Sequence, residues 1–325
     1  MRTVHNFKVV FYLSAILFLI TGSAYAQMAN MPKSLQDKMA EIGPALPKNL
    51  RAAYNATIEA YMPFLIAAPK NGIKVTKDIS YGSDPKQKLD IYQPEGKTGI
   101  PILVFLHGGA YVSGDKKVNE EIYANVVTYF ARKGILGVNA TYRLAPAAMW
   151  PGAALDVGSI VAWLKQNASG FGGDPNRIFL FGHSAGATHV ASYVFDKSLC
   201  PAQGPGVAGI ILMSGRYRVE YDPTDPNAAN MQAYFGKDAS QYPLRSPITH
   251  ITGSKVPVFV VIAEYDNPGL DVLGAELFAA LCKRDGRCPR FTRMERHNHF
   301  SQFAHFNTAD EALGREIIDF IVTRH

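Results

Sequence analysis

The chain has 325 residues, of which 47% are hydrophobic and 18% charged, a balance that is typical of a globular protein and excludes a disordered one. Its formal net charge at pH 7 is +6, and because Arg2 and Lys8 lie in a separate N-terminal segment, the rest of the chain has 6 − 2 = +4. The excess is dispersed, without a block of five Lys or Arg residues, so we expect no nucleic-acid partner.

Residues 1–26 have the three regions of a secretory signal peptide. The basic start MRTVHNFK is followed by an apolar run of 12 residues, VVFYLSAILFLI, and then by small residues at Ala24 and Ala26. The alternative is a membrane anchor, but a spanning helix needs about 20 apolar residues. We therefore expect cleavage after Ala26, a periplasmic or secreted protein, and no stable membrane anchor after cleavage.

The next segments predict N-terminal helices and then a sheet. Residues 27–70 are expected to form an N-terminal helical cap segment, with helical patterns over 33–66 broken at Gly43-Pro44, Pro47 and Pro63. IKVTKDISY and KLDIYQP then alternate like exposed antiparallel strands. Short apolar runs follow, as in strands buried on both faces of a parallel sheet: PILVFLH, GILGVNATY, RIFLFGH, VAGIILMSG and VPVFVVIAEYD. Further helical patterns lie at 119–132, 152–167, 185–197, 271–284 and 310–323.

Strand and helix alternate, so we expect one α/β domain over residues 71–325, with a mostly parallel central sheet flanked by helices. Residues 215–255 are irregular and rich in proline and aromatic residues, and we expect them to form a small cap inserted between two core strands. With the N-terminal helices they could cover a site at the carboxyl ends of the strands. An apolar pocket is predicted from aromatic residues at Tyr217, Tyr221, Tyr234, Phe235 and Tyr242, with Trp150.

The pentapeptide GHSAG, at residues 182–186, predicts a nucleophile at Ser184. It follows the apolar run RIFLF and opens a helix, and its two glycines permit a sharp turn that lifts the hydroxyl clear of the sheet. An ordinary strand-to-helix turn with a serine cap is the alternative. A nucleophilic serine needs a histidine base that is oriented by a carboxylate, so these partners must come from the rest of the chain.

Asp266 and His299 are the favoured partners, in the chain order that follows a serine on such a turn. Asp266 comes just past the end of an apolar strand, and Glu264, two residues earlier, is its rival. FTRMERHNHFSQF predicts a strand and then a loop; His299 lies in the loop, with His297 and His305 as rivals.

The glycines of HGGA, at residues 107–110, let the backbone run close to a substrate with its amides exposed. Two amides there and the amide of Ala185 could hold the negative oxygen of a tetrahedral intermediate. The alternative is a tight glycine turn without this role. We interpret Arg143 and Asp156 as a structural pair, because a buried charge needs a partner.

These motifs together resemble the α/β-hydrolase superfamily, in particular its carboxylesterases related to hormone-sensitive lipase. The matching segments, over residues 70–323, are HGGA, YRLAP, FGGDPNRI, GHSAG, EYD and HNHF, and Ala110 replaces the third glycine of the usual HGGG. The resemblance implies the α/β-hydrolase fold, Ser184, Asp266 and His299 as catalytic triad, and Gly109, Ala110 and Ala185 as oxyanion-hole donors.

The resemblance further implies a serine esterase without cofactor or metal, which hydrolyses small or aromatic carboxylic esters through an acyl-enzyme. An amide-cleaving hydrolase, such as an arylformamidase or aryl amidase, stays open, as does a binding module that has lost activity. The expected partner is a small-molecule ester, and the chain could form a homodimer. An oxidising compartment permits a disulfide between Cys282 and Cys288, while Cys200 is expected to be buried as a free thiol.

Overall fold

The structure, a computed structural model, describes residues 28–324. The predicted signal peptide at residues 1–26 lies outside the described residues. Within residues 28–324, no helix is both long and apolar enough to cross a membrane.

Eight strands form a single mixed sheet in the order β1-β2-β4-β3-β5-β6-β7-β8. Strands β1 and β2 pair antiparallel, as do β2 and β4, whereas every pairing from β4 through β8 is parallel. The predicted mostly parallel α/β sheet is therefore confirmed. The strands are β1 (Ile73–Ser80), β2 (Lys88–Pro94), β3 (Ile100–Leu106), β4 (Leu136–Ala140), β5 (Gly173–His183), β6 (Gly209–Met213), β7 (Val258–Tyr265) and β8 (Arg290–Asn298).

Helices cover both faces of the sheet. They are α1 (Lys33–Ala45), α2 (Leu50–Ala67), α3 (Ala124–Arg132), α4 (Gly152–Asn167), α5 (Ala185–Phe195), α6 (Ala228–Phe235), α7 (Tyr242–Arg245), α8 (Leu270–Asp285), α9 (Ser301–Ala304) and α10 (Ala312–Thr323). Alternate residues of β3 enter different cores: Val104 packs into the core that includes α4 and α5, and Phe105 into the core that includes α3 and α10. Burial on both faces explains why the parallel strands are almost wholly apolar.

Three elements differ from the prediction. Helix α3 begins at Ala124 and not at 119, because the Asn119 side chain accepts hydrogen bonds from the amides of Glu121 and Ile122 and holds a turn there. Helix α2 continues through Pro63, because residues of the helix on either side of this proline pack into the core. Strand β2, expected to be exposed, is mostly buried, because Leu89 and Ile91 pack into one core and Tyr92 into the other.

The predicted pair of Arg143 and Asp156 is confirmed. The guanidinium donates to the Asp156 carboxylate through Nε at 3.0 Å and Nη2 at 2.6 Å, and the carboxylate is fully buried on α4. Cys282 and Cys288 form a disulfide that joins α8 to the start of β8. Cys200 is a free thiol, as expected, but it is partly exposed because it lies after α5 at the surface.

The buried ring of His189, on α5, should make the stability of the folded state depend on pH. Neither ring nitrogen has a partner among residues 28–324, and burial lowers the pKa of His189 to about 3, with a smaller contribution from His107. The ordinary pKa of histidine is about 6.5. The unfolded chain therefore binds a proton here more readily than the folded chain as the pH falls below about 6.5, so the folded state loses stability on that side.

We expect His189→Phe to flatten the pH dependence of stability between pH 6.5 and 4. The slope of the free energy of unfolding should fall by the equivalent of one proton, about 1.4 kcal/mol per pH unit. Urea unfolding at a series of pH values measures this slope, and His250→Phe, at a partly exposed position, is the control. An unchanged slope in His189→Phe would contradict the assignment.

Candidate active site

Ser184 occupies a sharp turn between β5 and α5. Its backbone has φ 55° and ψ −122°, a conformation that non-glycine residues rarely adopt, and its amide donates to the carbonyl of Met213 at 2.8 Å. A Cβ on Gly186 would lie 2.3 Å from the carbonyl oxygen of Leu106, so only glycine lets α5 approach β3 this closely. The turn therefore presents Ser184 at the carboxyl end of a central strand and in the positive field of a helix N-terminus.

The loop after β3 runs directly beside this turn. Gly109 has φ 137°, and a Cβ there would lie 1.9 Å from the carbonyl oxygen of Ser113, which explains the glycine. Within residues 28–324, the amides of Gly109, Ala110 and Ala185 donate no hydrogen bond. Ala110 and Ala185 line the same pocket as Ser184, whereas Gly109 is not among its lining residues. The loop thus has unpaired donors next to the serine.

His299 and Asp266 meet at the neighbouring strand ends. Nδ1 of His299 lies 2.7 Å from Oδ1 of Asp266, and both side chains are almost fully buried. The amide of His299 also donates to the carbonyl of Tyr265 at 3.0 Å, which joins the two loops. With Nδ1 donating to the carboxylate, Nε2 of His299 is the nitrogen with a free lone pair.

His183 connects this pair to the serine turn. Its Nε2 donates to the carbonyl of His299 at 2.9 Å, and the two rings lie 4.5 Å apart. Burial, and then the charge of His299, hold the pKa of His183 well below its ordinary value, so the ring is neutral and its one proton serves this bond. The Ser184 hydroxyl itself has no hydrogen-bond partner among the described residues. The structure thus places Ser184 beside the His299 loop without closing the serine–histidine bond.

The rival residues have other partners. Glu264 accepts a hydrogen bond from the amide of Arg296 at 2.6 Å. His297 is fully buried between Asp310, at 3.0 Å, and the hydroxyl of Ser301, at 3.1 Å. His305 is also fully buried, and burial lowers its pKa to about 4. His297, Asp310 and Ser301 form a second Ser–His–Asp chain, but it is enclosed in the core and cannot meet a substrate.

Ser214 is a site residue that the sequence analysis missed. It follows β6 directly, and its hydroxyl donates to Oδ2 of Asp266, which leaves Oδ1 for His299. The Gln302 side-chain amide lies 2.8 Å from the same hydroxyl. The only signal in the sequence is that Ser214 directly follows the apolar run VAGIILM, as Ser184 directly follows RIFLFGH.

The N-terminal helices fix the loop that contains His299. Thr57, fully buried on α2, accepts a hydrogen bond from the side chain of Asn298 at 2.9 Å. The Asn298 carboxamide oxygen in turn accepts from the amides of Phe300 and Ser301, each at 2.9 Å. Helix α2 therefore contacts the loop that contains His299. The division of the chain into cap segments and a core domain stays a prediction.

The pocket at Ser184 is small and partly polar, which corrects the predicted apolar pocket. The cavity volume is about 30 Å³, and the lining consists of Ala110, Tyr111, Ser184, Ala185, Arg216, Asn227, Asn267 and Leu270. The aromatic residues expected to line it pack elsewhere. Tyr217, Tyr234, Phe235 and Tyr242 are buried in the core, Tyr221 is exposed, and Trp150 lies beneath Arg245. The bulky rings pack in the core and anchor the insertion to the rest of the chain.

Comparison with known proteins shows the family. The BD-FAE family model matches residues 89–195, which include the Ser184 turn. Esterase LipC of Mycobacterium tuberculosis is 29% identical over 207 residues, 58% of this chain and 50% of LipC. The arylesterase of Saccharolobus solfataricus is 30% identical over 214 residues, which cover 62% of this chain and 69% of the arylesterase. This chain belongs to the α/β-hydrolase superfamily, among its carboxylesterases related to hormone-sensitive lipase.

Other carboxylesterase relatives match over a smaller share. The isoprenylcysteine α-carbonyl methylesterase of Arabidopsis thaliana is 31% identical over 44% of this chain and 33% of its own length. The chain thus spans half or less of LipC and of this methylesterase. An esterase of Pyrobaculum calidifontis, with a TM-score of 0.65 and 20% identity over 90% of this chain and 98% of its own, has the same α/β-hydrolase fold.

Ser214→Ala is expected to lower kcat for p-nitrophenyl acetate about tenfold. This loss is smaller than the contribution of a complete general base, which is about 10²–10⁴-fold. The reason is that the Asp266 carboxylate would lose a hydrogen bond and be held less firmly against His299. Ser246→Ala is the matched control, because Ser246 is buried and makes two hydrogen bonds, to Tyr242 and from Val219, away from the site. Equal losses of kcat in both variants would show that Ser214 acts only on stability.

Proposed function

We propose that this protein is a secreted serine carboxylesterase that hydrolyses small carboxylic esters. The observation that supports it most is the shared pocket of Ser184, Ala110 and Ala185, beside the buried His299–Asp266 contact. A nucleophile, free amide donors and an oriented base are the three parts that acyl transfer requires.

The proposed reaction begins when the Ser184 oxygen attacks the ester carbonyl carbon while Nε2 of His299 takes the hydroxyl proton. The carbonyl oxygen becomes negative and accepts hydrogen bonds from the amides of Gly109, Ala110 and Ala185. Asp266 stabilises the imidazolium. Such a serine–histidine bond is often long without substrate and tightens in the complex, which accommodates the unbonded Ser184 hydroxyl.

The tetrahedral intermediate then collapses, and the C–O bond to the alcohol breaks as His299 returns its proton to the leaving oxygen. An acyl-enzyme on Ser184 remains. A water molecule, deprotonated by His299, attacks the acyl carbon, and the Ser184 oxygen leaves with that proton, which releases the carboxylic acid. The narrow pocket supports short acyl groups over long hydrocarbon chains.

Secretion is part of the proposal, and residues 1–26 and the Cys282–Cys288 disulfide support it. N-terminal sequencing of the mature protein tests it, with Gln27 expected as the first residue.

Ser184→Ala is expected to lower kcat/KM for p-nitrophenyl acetate by at least about 10³-fold, because a serine triad acts as a unit. Asp266→Asn should lower it by about 10²–10⁴-fold, since the base loses its orienting carboxylate. Glu264→Gln is the matched control and should retain activity. The assay is run beside p-nitroacetanilide, and cleavage of the anilide without cleavage of the ester would contradict the proposal in favour of an amidase.

A further inference from the structure

His299 lies in a tight turn, residues 298–301, that is closed by its own side chains. The Ser301 hydroxyl accepts a hydrogen bond from the Asn298 amide at 2.8 Å and donates to the Asn298 carbonyl at 3.1 Å. The Ser301 oxygen therefore joins the two ends of the turn and fixes the backbone between them. We call residues 298–301 the histidine turn.

His297 connects the histidine turn to the core. Nδ1 of its ring lies 3.1 Å from the Ser301 oxygen, and Nε2 lies 3.0 Å from Oδ2 of Asp310. The His297 and Asp310 side chains are enclosed, at 0% and 1% exposed, and neither lines the pocket at Ser184. The proposed reaction does not use these two groups, although His297 contacts the turn that contains the base.

Asp310 is itself held in place at the start of α10. Its Oδ1 accepts a hydrogen bond at 3.3 Å from the amide of Ala312, the first residue of that helix, and its own amide donates to the Thr308 hydroxyl at 3.2 Å. Burial raises the pKa of Asp310, but the hydrogen bond from His297 and the charge of His305 outweigh burial and keep this pKa below its ordinary value. The carboxylate is therefore ionised, and Nε2 of His297 donates to it.

The backbone of the histidine turn decides where Nε2 of His299 lies. Because Nδ1 of the same ring is bound to Asp266, the Nε2 end can reach the Ser184 oxygen only if the turn is correctly placed. A misplacement of about 1 Å in an active site can lower the rate about 10²-fold. Catalysis therefore depends on how firmly the histidine turn is held.

We infer that His297 and Asp310 are positioning residues for ester hydrolysis: they hold Ser301, and with it the histidine turn, so that His299 stays directed at Ser184. The inference rests on the proposed function. The two residues also contribute to stability, because a buried carboxylate that loses its partner is strongly destabilising. The test therefore measures catalysis and stability separately.

Two substitutions of His297 separate these effects, because each retains one of its two contacts. The short side chain of His297→Asn places an amide where Nδ1 lies, so it keeps a donor for Ser301 but leaves Asp310 unpaired. The longer side chain of His297→Gln reaches the position of Nε2, so it keeps the donor for Asp310 but loses the contact with Ser301. His297→Asn should therefore be the less stable variant, whereas positioning predicts that it is the more active one.

Kinetics with p-nitrophenyl acetate give kcat and KM, and urea unfolding gives stability. We expect kcat to fall about tenfold in His297→Gln and no more than about threefold in His297→Asn, with KM unchanged, because only the position of the base changes. Tyr61→Phe is the matched control and should retain kcat. Tyr61 is fully buried in the core, and its hydroxyl has no hydrogen-bond partner among the described residues.

Ser301→Ala decides the question if a His297 variant does not fold, since it leaves the contact between His297 and Asp310 in place. A loss of kcat of about tenfold is expected there too. Activities that follow the order of stability, an equal loss in Tyr61→Phe, or an unchanged kcat in His297→Gln and Ser301→Ala would overturn the inference and leave the esterase function intact. No ester hydrolysis by the unsubstituted protein would overturn the proposed function, and the inference with it.

Discussion

The backbone conformation of Ser184 is the constraint on which the rest of the site depends. A non-glycine residue with φ 55° and ψ −122° costs about 1–3 kcal/mol, so the surroundings have to stabilise it. They do so through close packing, since Gly186 brings α5 against the end of β3 and the Ser184 amide is bonded to the end of β6. The turn raises a small side chain above the sheet and points the first amides of a helix at the same space.

The parallel sheet places the other functional groups close to Ser184. The HGGA segment follows β3, Ser184 follows β5, Ser214 follows β6, Asp266 follows β7 and His299 follows β8. Each stands just after a carboxyl end, and these ends lie along one edge of the sheet. Hydrogen bonds between adjacent loops then fix the spacing: Ser214 to Asp266, Asp266 to His299, and His183 to the His299 carbonyl. Thr57 on α2 anchors the last loop from behind.

The sequence predicted the sheet, because apolar runs and helical periods are local signals. It also ranked Asp266 and His299 above Glu264 and His297 by their position after strands. It could not predict Ser214 or Thr57, since their importance depends on contacts between distant segments. The prediction of an apolar pocket was wrong for a related reason. Aromatic residues such as Tyr234 can line a cavity or pack in the core to anchor an insertion, and composition does not distinguish these two positions.

The central claim is that the geometry makes Ser184 uniquely nucleophilic, and covalent labelling tests it most directly. The protein is treated with a fluorophosphonate and digested with trypsin, and the peptide of residues 178–197 is sequenced by mass spectrometry. That peptide also contains Ser192, which serves as an internal control. The account predicts one adduct per chain, on Ser184, and loss of labelling in His299→Ala. Labelling of Ser192 or of another residue, or no labelling of the folded protein, would contradict it.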